Sequence, residues 1–135
     1  STLTLLIYDG ARPRSIQKKM WDTIKTMPVQ QGMYVSNPAK GSLHNFGAAV
    51  DLTIADQNGK PLDMGTSYDF FGNLAHTDKE QHFLKTGELS QKQFLNRSLL
   101  RKVMYKAGFF GIQSEWWHFN SCTRDQASQK YKIIE

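Results

Sequence analysis

Residues 42–55 read Ser-Leu-His-Asn-Phe-Gly-Ala-Ala-Val-Asp-Leu-Thr-Ile-Ala. From Ala48 to Ala55 the pattern is that of a strand, with Val50, Leu52 and Ile54 alternating with other residues. Asp51 lies inside this apolar run and His44 just ahead of it. Burying a carboxylate without a partner costs several kcal/mol or shifts its protonation, and a cation held there would remove that cost. Gly47, Ala48 and Ala49 are expected to let the backbone approach closely. Taken singly, Asp51 fits a hydrogen-bonded turn residue as well, and His44 a structural histidine.

Leu3–Tyr8 is β-rich and reads as a buried strand from the first residues. Asp9-Gly10-Ala11-Arg12-Pro13 follows as a turn. Ile16, Met20, Trp21, Ile24 and Met27 recur at helical spacing, which predicts a helix over 15–26 with Pro28 stopping it. Residues 30–41 read as loop, and Asn58-Gly59 as a hairpin turn. Residues 61–90 look irregular, a length that signals function or disorder. Asn96 reads as an N-cap, followed by an apolar stripe of Leu99, Leu100, Val103, Met104 and Ala107, with Gly108 at the helix end. Phe109–Ile112, Glu115–Asn120 and Tyr131–Ile134 are strand candidates. Helices and strands are segregated, which favours α+β, an antiparallel sheet flanked by helices, in a single domain over residues 1–135.

The 135 residues are 39% apolar and 21% charged, a globular composition, and carry a net charge of +5. The Lys and Arg residues are scattered and no nucleic-acid motif accompanies them, so no nucleic-acid partner is expected. No apolar run is long enough to span a membrane. Cys122, the one cysteine, excludes an internal disulfide framework and a Cys-rich zinc finger. No signal-peptide pattern opens the chain. Because a domain rarely begins inside its own core, an N-terminal segment is expected to be missing. The absence of disulfides fits the cytoplasm, which is the expected location, with the periplasm as the alternative if the missing segment carried a signal. Oligomeric state is not read.

The second informative segment is Glu115-Trp116-Trp117-His118-Phe119. A catalytic zinc takes three protein ligands from His and Asp/Glu and leaves a position for water; His44, Asp51 and His118 would supply that set. Strand alternation puts Glu115 and His118 on opposite faces, so Glu115 needs a bend, which Gln113-Ser114 is expected to supply. Trp116 and Trp117 read as core, His76 and His82 as structural or exposed, and Asp9 and Asp63 as turn residues. The spacing matches no generic zinc signature, and the residues alone reach a metal hydrolase as one open reading.

Ser42-x-His44-x-x-Gly47-x-Ala49-x-Asp51 followed by Glu115-x-x-His118 resembles the zinc D,D-peptidases. The string Glu115–Phe119 is similar to the D-alanyl-D-alanine dipeptidase (VanX-like) branch. Asp9-Gly10-Ala11-Arg12-Pro13 resembles that branch's Asp-x-x-Arg-Pro segment. Asp63-Met64-Gly65-Thr66-Ser67-Tyr68-Asp69 resembles its Met-Gly-x-x-Phe-Asp segment, with Tyr68 in place of Phe. The pieces occur in family order. Family members carry a longer N-terminal region.

The resemblance implies a zinc D,D-peptidase-like fold, one Zn²⁺ held by His44, Asp51 and His118, and hydrolysis of the D-alanyl-D-alanine dipeptide in cell-wall metabolism. It implies Glu115 as general base, Arg12 as oxyanion stabiliser, Asp69 as the partner of the substrate ammonium, and Ser42 as a contact to the substrate backbone or carboxylate. Two other readings stay open: a D,D- or L,D-carboxypeptidase acting on peptidoglycan stems, and a non-catalytic zinc module that binds peptides.

Overall fold

A computed structural model describes residues 2–27 and 31–135. The protein is α+β, with a four-stranded antiparallel sheet. Its strands are β1 (Thr4–Asp9), β2 (Ala49–Ala55), β3 (Phe110–Gly111) and β4 (His118–Asn120), in the order β1-β2-β4-β3. Two antiparallel hydrogen bonds set the β2–β4 register: Leu52 N–H to the Trp117 carbonyl at 3.0 Å, and Ser121 N–H to the Ala48 carbonyl at 2.9 Å. That register puts Asp51 opposite His118.

The chain divides into two compact units, Ser1–Tyr8 with Asp51–Phe119, and Asp9–Val50 with Asn120–Glu135. The first holds most of the sheet, together with α3 (Glu80–Thr86) and α4 (Gln91–Lys106). β2 is an inner strand, buried from Asp51 to Ala55 rather than on alternate residues. β1, expected to be buried, is an edge strand: Leu3, Leu5, Ile7 and Tyr8 are exposed, Ile7 at 56%. Its apolar composition gave no hint of this, because an edge and a centre differ in neighbours rather than in residue type.

α4 starts six residues earlier than the Asn96 cap predicts. Its cap is Ser90, in a capping box with Gln93, while Asn96 donates to the Asp63 carbonyl at 2.9 Å. The buried side of α4 carries Arg97, Leu100 and Met104, whereas Leu99 and Val103 of the expected stripe are exposed. Gly108 closes the helix at φ +91°. The region 61–90 is not structureless: it holds 3-10 turns at Asn73–Ala75 and Thr77–Lys79, and then α3. The Asn58-Gly59 turn is present, but its return is a single bridge, Ala55 to Pro61, rather than a strand.

The second unit carries α1 (Arg14–Ile24), the short α2 (Gln31–Tyr34) within the expected loop, a 3-10 turn at Leu43–Phe46 and α5 (Arg124–Lys130). The helix stop at Pro28 lies outside the described residues. α1 buries Gln17 and Ile24 and leaves Ile16 exposed, so its inward face is rotated from the predicted one. No strand forms at Tyr131–Ile134. α5, capped by Thr123 with Gln126, precedes it, and the tail then bonds backbone to backbone, Ile134 N–H to Asn45 and Arg14 N–H to Ile134. Among the described residues no helix is long and apolar enough to cross a membrane.

Candidate metal and active site

In the first unit, the β2–β4 register makes Asp51 and His118 a directly opposed pair, the closest side-chain neighbours a sheet offers. Asp51 Oδ1 lies 3.1 Å from His118 Nδ1, and Tyr68 donates its hydroxyl to Asp51 Oδ2 at 2.9 Å. Glu115 stands outside β4. Trp116 and Trp117 form a turn between them, and this brings Glu115 Oε2 to 3.7 Å from the same His118 nitrogen. The bend that alternation required is therefore made, by the tryptophans rather than by Gln113-Ser114 alone. Both tryptophans are buried as expected, and Trp116 Nε1–H donates to Thr66 Oγ1 at 2.7 Å.

The loop that carries Tyr68 and Asp69 is tied down from several sides. Buried Arg97 donates to the Met64 carbonyl at 2.7 Å and the Leu74 carbonyl at 2.9 Å. Its guanidinium also pairs with Glu80 at 3.2 Å, and Arg101 pairs with the same carboxylate at 2.8 Å. Burial pushes the Arg97 pKa down, against the upward pull of Glu80. Asp63 is indeed a turn residue, accepting from Gly65 N–H at 3.0 Å, and it also accepts from Gln93 at 3.0 Å. Gly65 has φ +87°, and a Cβ there would come within 2.6 Å of Leu89, so no other residue fits without a shift. Asp69 is exposed and holds φ +62°, a left-handed conformation that Asp tolerates better than most residues.

The second unit places Arg12, Ser42 and His44. Ser42 caps the 3-10 turn: its hydroxyl accepts from His44 N–H at 3.1 Å, and Asn45 Oδ1 accepts from Ser42 N–H at 2.7 Å. A hydroxyl that accepts there keeps its own proton to donate. His44 Nδ1 lies 2.8 Å from the Gly10 carbonyl. A carbonyl only accepts, so this nitrogen carries the proton and the lone pair belongs to Nε2, as a metal-ligating histidine requires. Gly47 follows with φ +66° and open space around it. It is there for the left-handed turn into β2 rather than for the close approach expected of it. Arg12 is buried and its guanidinium is fixed by Asp9, at 2.6 and 2.9 Å, and by Gln17 at 2.7 Å.

Among the described residues, His44, Asp51 and His118 each offer one ligand atom, and these atoms all lie within 4.8 Å of one another. Two imidazole nitrogens and a carboxylate oxygen are the donors that suit a divalent zinc-like ion. Tetrahedral ligands about 2.0–2.1 Å from such an ion sit about 3.3 Å apart, close to the 3.1 Å between Asp51 and His118. His76 is half-buried beside Asp78 and His82 is exposed; neither belongs to this group. The sequence reading missed Gln17, Asp9 as the Arg12 clamp, and the Tyr68 hydroxyl. A polar residue on the apolar side of α1 was the available signal for Gln17.

The profile of the D-ala-D-ala dipeptidase family matches residues 1–134. A D-alanyl-D-alanine dipeptidase of Escherichia coli (strain K12) is 39% identical over 119 residues, which is 88% of this chain and 55% of the relative. One from Synechocystis sp. (strain ATCC 27184 / PCC 6803 / Kazusa) is 27% identical, over 86% of this chain and 58% of the relative. One from Enterococcus faecalis (strain ATCC 700802 / V583) is 29% identical, over 85% and 60%. The chain thus spans little more than half the length of these curated relatives. With its profile match over residues 1–134 and its resemblance to these proteins, the chain belongs to the D-ala-D-ala dipeptidase family of peptidases.

Proposed function

We propose that this protein is a zinc-dependent D-alanyl-D-alanine dipeptidase, with residues 1–135 belonging to a single catalytic domain. The observation that carries the reading is the convergence of His44, Asp51 and His118, with Glu115 3.7 Å from His118. His44, Asp51 and His118 would hold one Zn²⁺. When bound, the ion supplies Lewis-acid polarisation of the scissile carbonyl and a water whose pKa falls to about 7.

Glu115 takes a proton from the attacking water and returns it to the leaving amine, a role worth about 10²–10⁴ in rate. Arg12, held by Asp9 and Gln17, offers a fixed positive charge to the oxygen on which negative charge develops. Asp69 pairs with the substrate's free ammonium, and Ser42 donates to its backbone or carboxylate. Recognition of both ends of a small substrate is what restricts hydrolysis to a dipeptide.

The test is D-alanine release from D-Ala-D-Ala by zinc-loaded protein, for wild type and Glu115→Gln. The reading predicts release by the wild type and a fall of about 10²–10⁴ in kcat for the variant with its zinc retained. Equal turnover by both proteins would remove Glu115 from the chemistry. No release by folded, zinc-loaded wild type would overturn the dipeptidase assignment for this chain.

A further inference from the structure

We infer that Tyr68 is a positioning residue for the metal: its hydroxyl holds one oxygen of Asp51 so that the other is presented to the ion. The inference rests on the reading of Asp51 as a ligand. The two oxygens of this carboxylate are divided between two tasks. Oδ2 accepts from the Tyr68 hydroxyl at 2.9 Å, while Oδ1 lies 3.1 Å from His118 Nδ1. A carboxylate's terminal torsion is broad, so one held only at its ligating oxygen can swing or bind through both. A hydrogen bond on Oδ2 removes that freedom, which is how outer partners of ligating carboxylates raise affinity.

Tyr68 itself is held by more than this bond. Its ring stacks on Tyr8 at 4.4 Å with 14° between planes and meets Trp117 edge-on at 5.6 Å. The chain on either side is anchored by Trp116 to the Thr66 hydroxyl and by Arg97 to the Met64 and Leu74 carbonyls. The hydroxyl is therefore delivered to the carboxylate by packing. A phenylalanine at this position can keep both ring contacts while removing the hydroxyl that donates to Asp51.

The test compares wild type, Tyr68→Phe and Tyr8→Phe by chelator competition for zinc at neutral pH, by thermal unfolding of the metal-free proteins, and by the visible absorption of cobalt(II) in the site. Tyr68→Phe is expected to bind zinc about ten-fold more weakly. It is also expected to lose cobalt absorption intensity as Asp51 binds through both oxygens and the coordination number rises. Tyr8→Phe, which keeps the stack, should match wild type in both. Zinc affinity and cobalt spectrum unchanged in Tyr68→Phe would overturn the inference, including where its metal-free melting point falls, since that is the mark of a merely structural hydroxyl. A wild type that holds neither metal would overturn the ligand assignment, and this inference with it.

Discussion

Two charged clusters are buried in the same unit, one around Glu80 and one around Asp51, and they are built from opposite kinds of partner. Glu80 meets two guanidiniums, from Arg97 and Arg101, and Arg97 spends its other donors on the Met64 and Leu74 carbonyls. Permanent cations neutralise that carboxylate, and the cluster ties a loop to α4. Asp51 meets an imidazole nitrogen and a phenol hydroxyl, and two histidine ligand atoms and its own oxygen lie within 4.8 Å of one another. Lone pairs converge there where guanidinium donors converge at Glu80. Burial of a charged residue is thus a poor guide to chemistry by itself; the partner's type separates a fastener from a candidate metal centre.

The comparison predicts that damage to the first cluster appears in stability with or without metal. Arg97→Ala leaves a buried carboxylate with half its partners and frees two carbonyls, and should cost about 3–5 kcal/mol in urea unfolding. An effect below about 1 kcal/mol would show that Arg101 alone satisfies Glu80. Ser90→Ala removes the cap that starts α4 and should cost about 1 kcal/mol, again independent of metal.

The smallest effect concerns pH. The Gln93 side chain, and then the Gly65 N–H, hold the Asp63 carboxyl below its ordinary value. A depressed folded pKa gives stability that is present above the unfolded pKa of about 3.9 and is lost as pH falls through the folded value. Wild type should therefore exceed Asp63→Asn in urea midpoint at pH 6, and the gap should close on acidification below pH 4. A gap that persists unchanged at low pH would rule out the charge as its source.

Much of the candidate site could be read from the sequence because it sits in two short segments whose local chemistry is unusual: an aspartate inside an apolar strand, and a histidine three residues after a glutamate. The antiparallel class was legible too. What escaped was set by partners distant in sequence. Residues 63–75 read as irregular because the Met64 and Leu74 carbonyls accept from Arg97, more than twenty residues away, and not from a repeating ladder. β1 and β2 read alike, but strand order alone exposes one and buries the other. Two misses had a local signal: Ser90 with Gln93 and Thr123 with Gln126 are capping boxes, and either would have placed its helix. The Tyr68 hydroxyl had none, since its partner Asp51 is 17 residues away.

The central claim is that the cluster around Asp51 is a metal site, and zinc content measures it most directly. Wild type and His118→Ala would be loaded with zinc, freed of excess, and assayed for bound metal, with unfolding followed at a zinc concentration about a thousand-fold above the wild-type Kd. The account predicts one zinc per wild-type chain and about 4 kcal/mol of added stability, with both lost in His118→Ala while its metal-free stability stays near that of wild type. Equal zinc content in the two proteins would contradict it.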